Sequence, residues 1–128
     1  IWLRALLPFI NDTMDNISGI LKLCREAQVY GIVCFGMGLT LREGNREYFY
    51  AQLDRLFPGL KEKYIHTYGN QYVLNSPRSE SLMGFFHKTC RENGIVHSNE
   101  QIFSYLHEWK EKNAVQQLSL WDWKASEE

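Results

Sequence analysis

VYGIVCFGM, residues Val29 to Met37, is a nine-residue run without a charged side chain, rich in β-branched and aromatic residues. That composition predicts a buried strand. Gly36 and Gly38 stand where it should close. Upstream, IWLRALLPFI (Ile1 to Ile10) is a second short apolar run and ends in Asn11-Asp12. It reads as a strand leading into a helix start, with Asp12 as the cap and Asp15 near the positive end of the helix dipole. Between the two runs Ile17, Ile20, Leu21, Cys24 and Ala27 recur at helical spacing, so this helix has one apolar face. Strand, helix and strand in fewer than forty residues make a βαβ unit with parallel strands. The fold class expected is α/β.

Downstream the pattern turns helical. Asn45 is the expected cap of a segment with Phe49, Leu53, Leu56 and Phe57 on one side, interrupted at Pro58-Gly59. Leu60, Tyr64, Ile65 and Tyr68 continue it, and Tyr72 to Leu74 reads as a brief extended piece. Ser76-Pro77 reads as a helix start with proline at the first helical position. That helix carries Leu82, Phe86 and Cys90 and stops at Asn93-Gly94. Ser98 with Gln101 resembles a capping box, followed by Ile102, Phe103, Leu106 and Trp109 facing inward. The expected organisation is a βαβ unit over 1–44, a helical part over 45–111 and a flexible tail over 112–128.

Two buried parallel strands do not make a complete sheet, because such strands need cover on both faces and neighbours on their edges. The chain also starts inside an apolar segment, without methionine. Both features read as a fragment whose partner is the remainder of its own barrel, or a second copy of itself.

Bulk properties exclude several classes. With 128 residues, 45% hydrophobic and 23% charged, the composition is globular. Net charge is −1, and the halves divided after Tyr64 carry eight basic against seven acidic residues, then six against eight. Neither half is a phosphate-neutralising surface, so DNA would be held only through a larger parent protein. The longest uncharged stretch, Ala27 to Leu41, is too short to span a bilayer, so no membrane partner is expected. Cys24, Cys34 and Cys90 are an odd, widely spaced set, which fits a reducing cytoplasm better than a disulfide framework.

Pro8-Phe9-Ile10-Asn11-Asp12 resembles the Pro-x-x-Asn-Asp pattern of the spore photoproduct lyase-like branch of radical S-adenosylmethionine enzymes. Tyr30 to Asn45 (YGIVCFGMGLTLREGN) is similar to the next strand and loop of that family. The likeness continues through Lys63-Tyr64-Ile65 and Tyr68-Gly69-Asn70 to Phe103-Ser104-Tyr105-Leu106. It implies a partial (β/α) barrel in which these are late strands. It also implies a [4Fe–4S] cluster on a Cys-x3-Cys-x2-Cys motif, S-adenosylmethionine as cofactor, and lyase chemistry of the DNA-repair type. The cysteines here are ten and fifty-six residues apart. Cluster ligation needs thiolates gathered around the irons, so the resemblance implies ligands outside this chain, and no cofactor is held by this chain alone.

In a parallel barrel, chemistry collects at the C-terminal strand ends. That position nominates Asn11, Gly36, Gly38 and Arg4 for cofactor binding, and Arg42 and Asn45 for substrate. The glycines would let backbone groups approach a ligand closely. Arg4, in an apolar strand, would need an anionic partner if enclosed. His87 and Cys90 share a helix face, but two ligands do not make a zinc site, and packing is the simpler role. The rival to an enzyme fragment is a non-catalytic α/β interaction module that binds a partner through its tail. There, Gln117-Leu118-Ser119-Leu120-Trp121 resembles the Gln-Leu-Ser/Asp-Leu-Phe peptide by which bacterial repair proteins dock on the sliding clamp. Gln117, Leu118, Leu120 and Trp121 would make that contact, unless the tail folds back on the domain.

Overall fold

The computed structural model of the chain describes residues 1–112, with side chains through residue 108. Trp109 and the tail motif of Gln117, Leu118, Leu120 and Trp121 lie outside that description. The chain is mixed α/β, with five helices and two small sheets among the described residues.

The first sheet pairs β1 (Trp2–Leu3) in parallel with β2 (Val33–Cys34), Trp2 opposite Val33 and Leu3 opposite Cys34. Helix α1 (Met14–Glu26) connects them, so the expected parallel βαβ unit is present. A third backbone segment extends this sheet on the far side of β2. Val96 donates to the Tyr30 carbonyl at 3.0 Å, and Ile32 donates to the Val96 carbonyl at 2.9 Å.

β1 is much shorter than the apolar run that announced it. Ala5 has φ +56°, which ends the extended backbone. Pro8 has no N–H to give a ladder, and residues 7–11 coil, with Ile10 and Asn11 both donating to the Leu7 carbonyl at 3.1 Å. The run from Val29 is also divided. Met37 is fully buried, and Gly38 opens a second sheet where a strand end was expected. In that sheet β3 (Gly38–Thr40) pairs antiparallel with β4 (Val73–Asn75). A Cβ at Gly38 would overlap the Leu74 carbonyl oxygen, so glycine is required there by the neighbouring strand.

The helices follow the apolar periodicity, with corrections at their ends. Ile17, Leu21 and Cys24 are the buried face of α1. Its cap is Thr13, whose hydroxyl accepts from the Asn16 N–H at 3.2 Å, and Asp12 has a different task. Helix α2 (Asn45–Leu56) starts after Gly44, and no side chain caps it; Asn45 is its exposed first residue. Leu53 of α2 is buried, whereas Leu56 and Phe57 are exposed. Gly59, at φ +86°, breaks the chain direction before α3 (Leu60–Tyr68). Helix α4 (Ser79–Glu92) begins three residues after Ser76, and buries Leu82, Phe86 and Cys90. Ser98 does cap α5 (Asn99–Lys112), accepting from the Gln101 N–H at 3.4 Å. Ile102 of α5 is buried, but Phe103 and Leu106 are largely exposed.

Two apolar clusters result, the first joining the two ends of the described chain around the second. One packs α1 and α4 on the parallel strands through Ile17, Leu21, Ile32, Met37, Leu82 and Phe86. The other packs α2 and α3 on the β3–β4 pair through Leu41, Leu53, Tyr64, Tyr68 and Leu74. Between them lies a polar node. Asp12 and Ser76, each 4% exposed, are hydrogen bonded, Ser76 Oγ donating to the carboxylate. The Ser76 N–H donates to the Met37 carbonyl at 2.8 Å, and Ser76 Oγ accepts from the Arg78 N–H at 3.0 Å. Ser76 therefore steers the chain from β4 into α4 without being part of the helix.

Replacing Asp12 by alanine leaves a buried hydroxyl short of its acceptor, a loss of about 1–3 kcal/mol. Thr13→Ala removes a helix cap, about 1 kcal/mol. Urea unfolding should show both losses, and an unchanged midpoint for Asp12→Ala would contradict the tie between the clusters.

Candidate functional site

A cleft of about 480 Å³ opens where β1 and β2 end, walled on its other side by β3 and β4. Its lining comes from Leu3, Arg4, Ala5 and Leu7 after β1, Phe35 and Gly36 after β2, Gly38 to Thr40 of β3, and Val73 and Asn75 of β4. The volume falls in the range of small-molecule sites, which are mostly apolar with a few polar groups. Arg4 is the charged member of this lining. It is exposed, and its guanidinium carbon stands 5.7 Å from the centre of the Trp2 ring. Cation–π contact holds such a group while leaving its N–H donors free for an anion.

Three of the four nominated cofactor residues therefore meet. Gly36 faces open space, with nothing near the position a Cβ would take, so its backbone can be approached from the cleft. Gly38 lines the cleft too, although its missing side chain is used by β4. Asn11 is elsewhere: its Oδ1 accepts from the Leu7 N–H at 2.6 Å, and its carbonyl accepts from Asn16 Nδ2 at 2.9 Å. Those bonds shape the turn that carries the chain from β1 to α1. The nominated substrate residues are also outside the cleft. Arg42 is exposed and donates through Nε to the Tyr72 hydroxyl at 3.2 Å. That bond lowers the Tyr72 pKa below the ordinary phenol value and raises that of Arg42. Asn45 lies one helix start further on, at the surface.

Sequence periodicity overlooked the aromatic wall. Phe35 is 70% exposed between buried Cys34 and the half-buried Gly36. Its ring neighbours Trp2 (centroids 6.3 Å) and Phe103 (6.3 Å), and Trp2 is 6.0 Å from Phe103. Tyr30 and Tyr105 stack beside them at 3.9 Å. Period-two alternation from Cys34 inward would have put Phe35 outward, but the run looked uniformly apolar and hid it.

The three thiols do not fit an iron–sulfur cluster. All are buried. Burial pushes the Cys90 thiol up to about 11 and raises those of Cys24 and Cys34. Cys34 Sγ turns to the Gly36 carbonyl at 3.7 Å and to Met83 Sδ at 3.9 Å. Thiols held protonated in an apolar core are poor ligands, because iron binds the thiolate. Among the described residues no three His, Cys, Asp or Glu side chains gather as a metal site, and no helix is long and apolar enough to cross a membrane.

Arg42→Ala should raise the Tyr72 pKa toward the ordinary phenol value, read from its ring carbon shift, while leaving ligand occupancy of the cleft unchanged. Lost occupancy in that variant would bring Arg42 into the site. No protein-family model, curated protein or solved structure matches the chain.

Proposed function

We propose that this chain is the C-terminal portion of a radical S-adenosylmethionine enzyme of the spore photoproduct lyase-like type, and that its cleft forms part of that enzyme's active-site mouth. The observation that carries the proposal is where the cleft lies. It opens at the carboxyl ends of two parallel strands joined by a helix, the place where α/β folds bind ligands. The similarity of Tyr30 to Asn45 to the family's strand and loop supports it, because that segment supplies one wall. Arg4 would meet a carboxylate or phosphate of the ligand, and the backbone at Gly36 would approach its sugar or base. In this reading β1 and β2 are late strands of a partial barrel, the cluster ligands lie in a preceding part of the polypeptide, and DNA is reached only by the whole enzyme.

The coding sequence upstream tests this directly. An in-frame Cys-x3-Cys-x2-Cys run is expected there, and the longer polypeptide should take up a [4Fe–4S] cluster on anaerobic reconstitution, while residues 1–128 alone should not. A stoichiometric cluster on 1–128, or a longer polypeptide with neither motif nor cluster, refutes the assignment.

One observation favours the interaction-module alternative: the aromatic face of Trp2, Phe35 and Phe103, exposed among the described residues, beside an edge of β1 that none of them pairs. Apolar surface of this kind marks a covered interface. In the fragment reading its cover is the rest of the barrel, so the isolated chain should self-associate through this face. Sedimentation at rising concentration should show oligomers that Phe103→Ser weakens. A monomer at every concentration would contradict the uncovered-edge argument in both readings.

A further inference from the structure

His87 and His97 are ten residues apart, and their Nδ1 atoms stand 2.7 Å from each other, both rings half-buried. His87 lies on the outer part of α4. His97 lies on the segment 95–98, which leads from α4 to α5. The edge of Phe86 packs against both rings, at centroid distances of 5.1 and 6.5 Å. Two ring nitrogens at that separation share one proton. With none, two lone pairs face each other; with two, both N–H groups collide. One imidazole is therefore the donor at Nδ1, and the other carries its proton on Nε2 and accepts.

We propose that His87 and His97 form a proton-gated clasp between α4 and the 95–98 segment, closed while one proton is shared and opened when each ring carries its own. The segment it holds is tied into the sheet and into α5, and its Ile95 N–H donates to the Cys90 carbonyl at 2.9 Å. Ile95 is buried, Val96 supplies the third backbone of the parallel sheet, and Ser98 caps α5. Immediately after it, Asn99 grips both backbone groups of Cys34, accepting from its N–H at 3.2 Å and donating to its carbonyl at 3.1 Å. Opening the clasp therefore loosens the edge of the sheet next to Phe35, at the wall of the cleft.

The charged surroundings oppose a second proton. Arg91, one turn beyond His87 on α4, acts on His97 with the same sign as His87 does. Lys88 and Glu92, also on α4, are exposed and face each other at 3.9 Å. The 95–98 segment has no other ionisable side chain. Glu100 of α5 is turned to the hollow beside Tyr30 and Tyr105. Burial first, then His87 and Arg91, hold the His97 pKa below the ordinary imidazole value. A histidine with a lowered folded value stabilises the fold fully above about pH 6.5, and loses that contribution as pH falls through its folded value.

Nitrogen-15 spectra of the histidine rings and amide exchange, recorded on the 128-residue chain from pH 8 to 4, test the clasp. His97 should titrate below the ordinary value. Protection of the Val96 and Ile32 amides should fall across that titration. In His87→Phe the His97 titration should move up, and the step in protection should vanish. An ordinary titration of His97 in the wild-type chain, or protection indifferent to it, overturns the proposal whether or not the variant folds.

Discussion

The buried hydrogen bond from Ser76 to Asp12 is the constraint around which the rest of the chain is arranged. A carboxylate and a hydroxyl withdrawn from water need partners, and here each supplies the other's. Asp12 stands at the approach to α1 and Ser76 at the approach to α4, so the two helices that cover the parallel strands leave from one point. Ser76 also binds the Met37 backbone, where the first sheet gives way to the second. Two tyrosines of α3 close the same seam: Tyr64 donates to the Pro8 carbonyl at 2.5 Å, and Tyr68 to the Asn75 carbonyl at 2.6 Å. The two apolar clusters are thereby locked in one orientation, and the cleft is the gap left between the strand ends that they hold apart.

The periodic signals of α1 and α4 folded as read, whereas those of α2 and α5 did so only at Leu53 and Ile102. The buried faces of α1 and α4 are the helical-spacing residues Ile17, Leu21 and Cys24, and Leu82, Phe86 and Cys90. The parallel pairing of β1 and β2 follows from two apolar runs with an amphipathic helix between them. What periodicity could not contain was long-range polar pairing. Asp12 looks like a cap because the local rule rewards acids there, but its partner is 64 residues away. Ser76-Pro77 looks like a helix start for the same reason. The antiparallel β3–β4 pair was hidden because Gly38 reads as punctuation, and only the close approach of Leu74 explains it.

For the site, the structure brings Arg4, Gly36 and Gly38 together at the cleft and leaves Asn11, Arg42 and Asn45 outside it. The difference is physical. Arg4 and the glycines sit within two or three residues of a ladder that fixes their direction. Asn11 lies beyond a coil that consumes its side chain, and Arg42 lies beyond a second strand that turns it to Tyr72. Arg4 is presented at the surface of the cleft by Trp2, and the aromatic face formed by Trp2, Phe35 and Phe103 joins the cleft to the edge of β1 left unpaired among the described residues. A fold completed by more strands would cover that face and enclose Arg4 in the same step.

The claim on which the functional account rests is that the strand-end cleft receives the ligand. Amide spectra of the labelled longer polypeptide, titrated with S-adenosylmethionine, test it most directly. Within this chain the account predicts shifts confined to residues 3–7, 35–40 and 73–75, reduced in Arg4→Ala. Shifts centred on α2 and α3, or none at millimolar ligand, would contradict it.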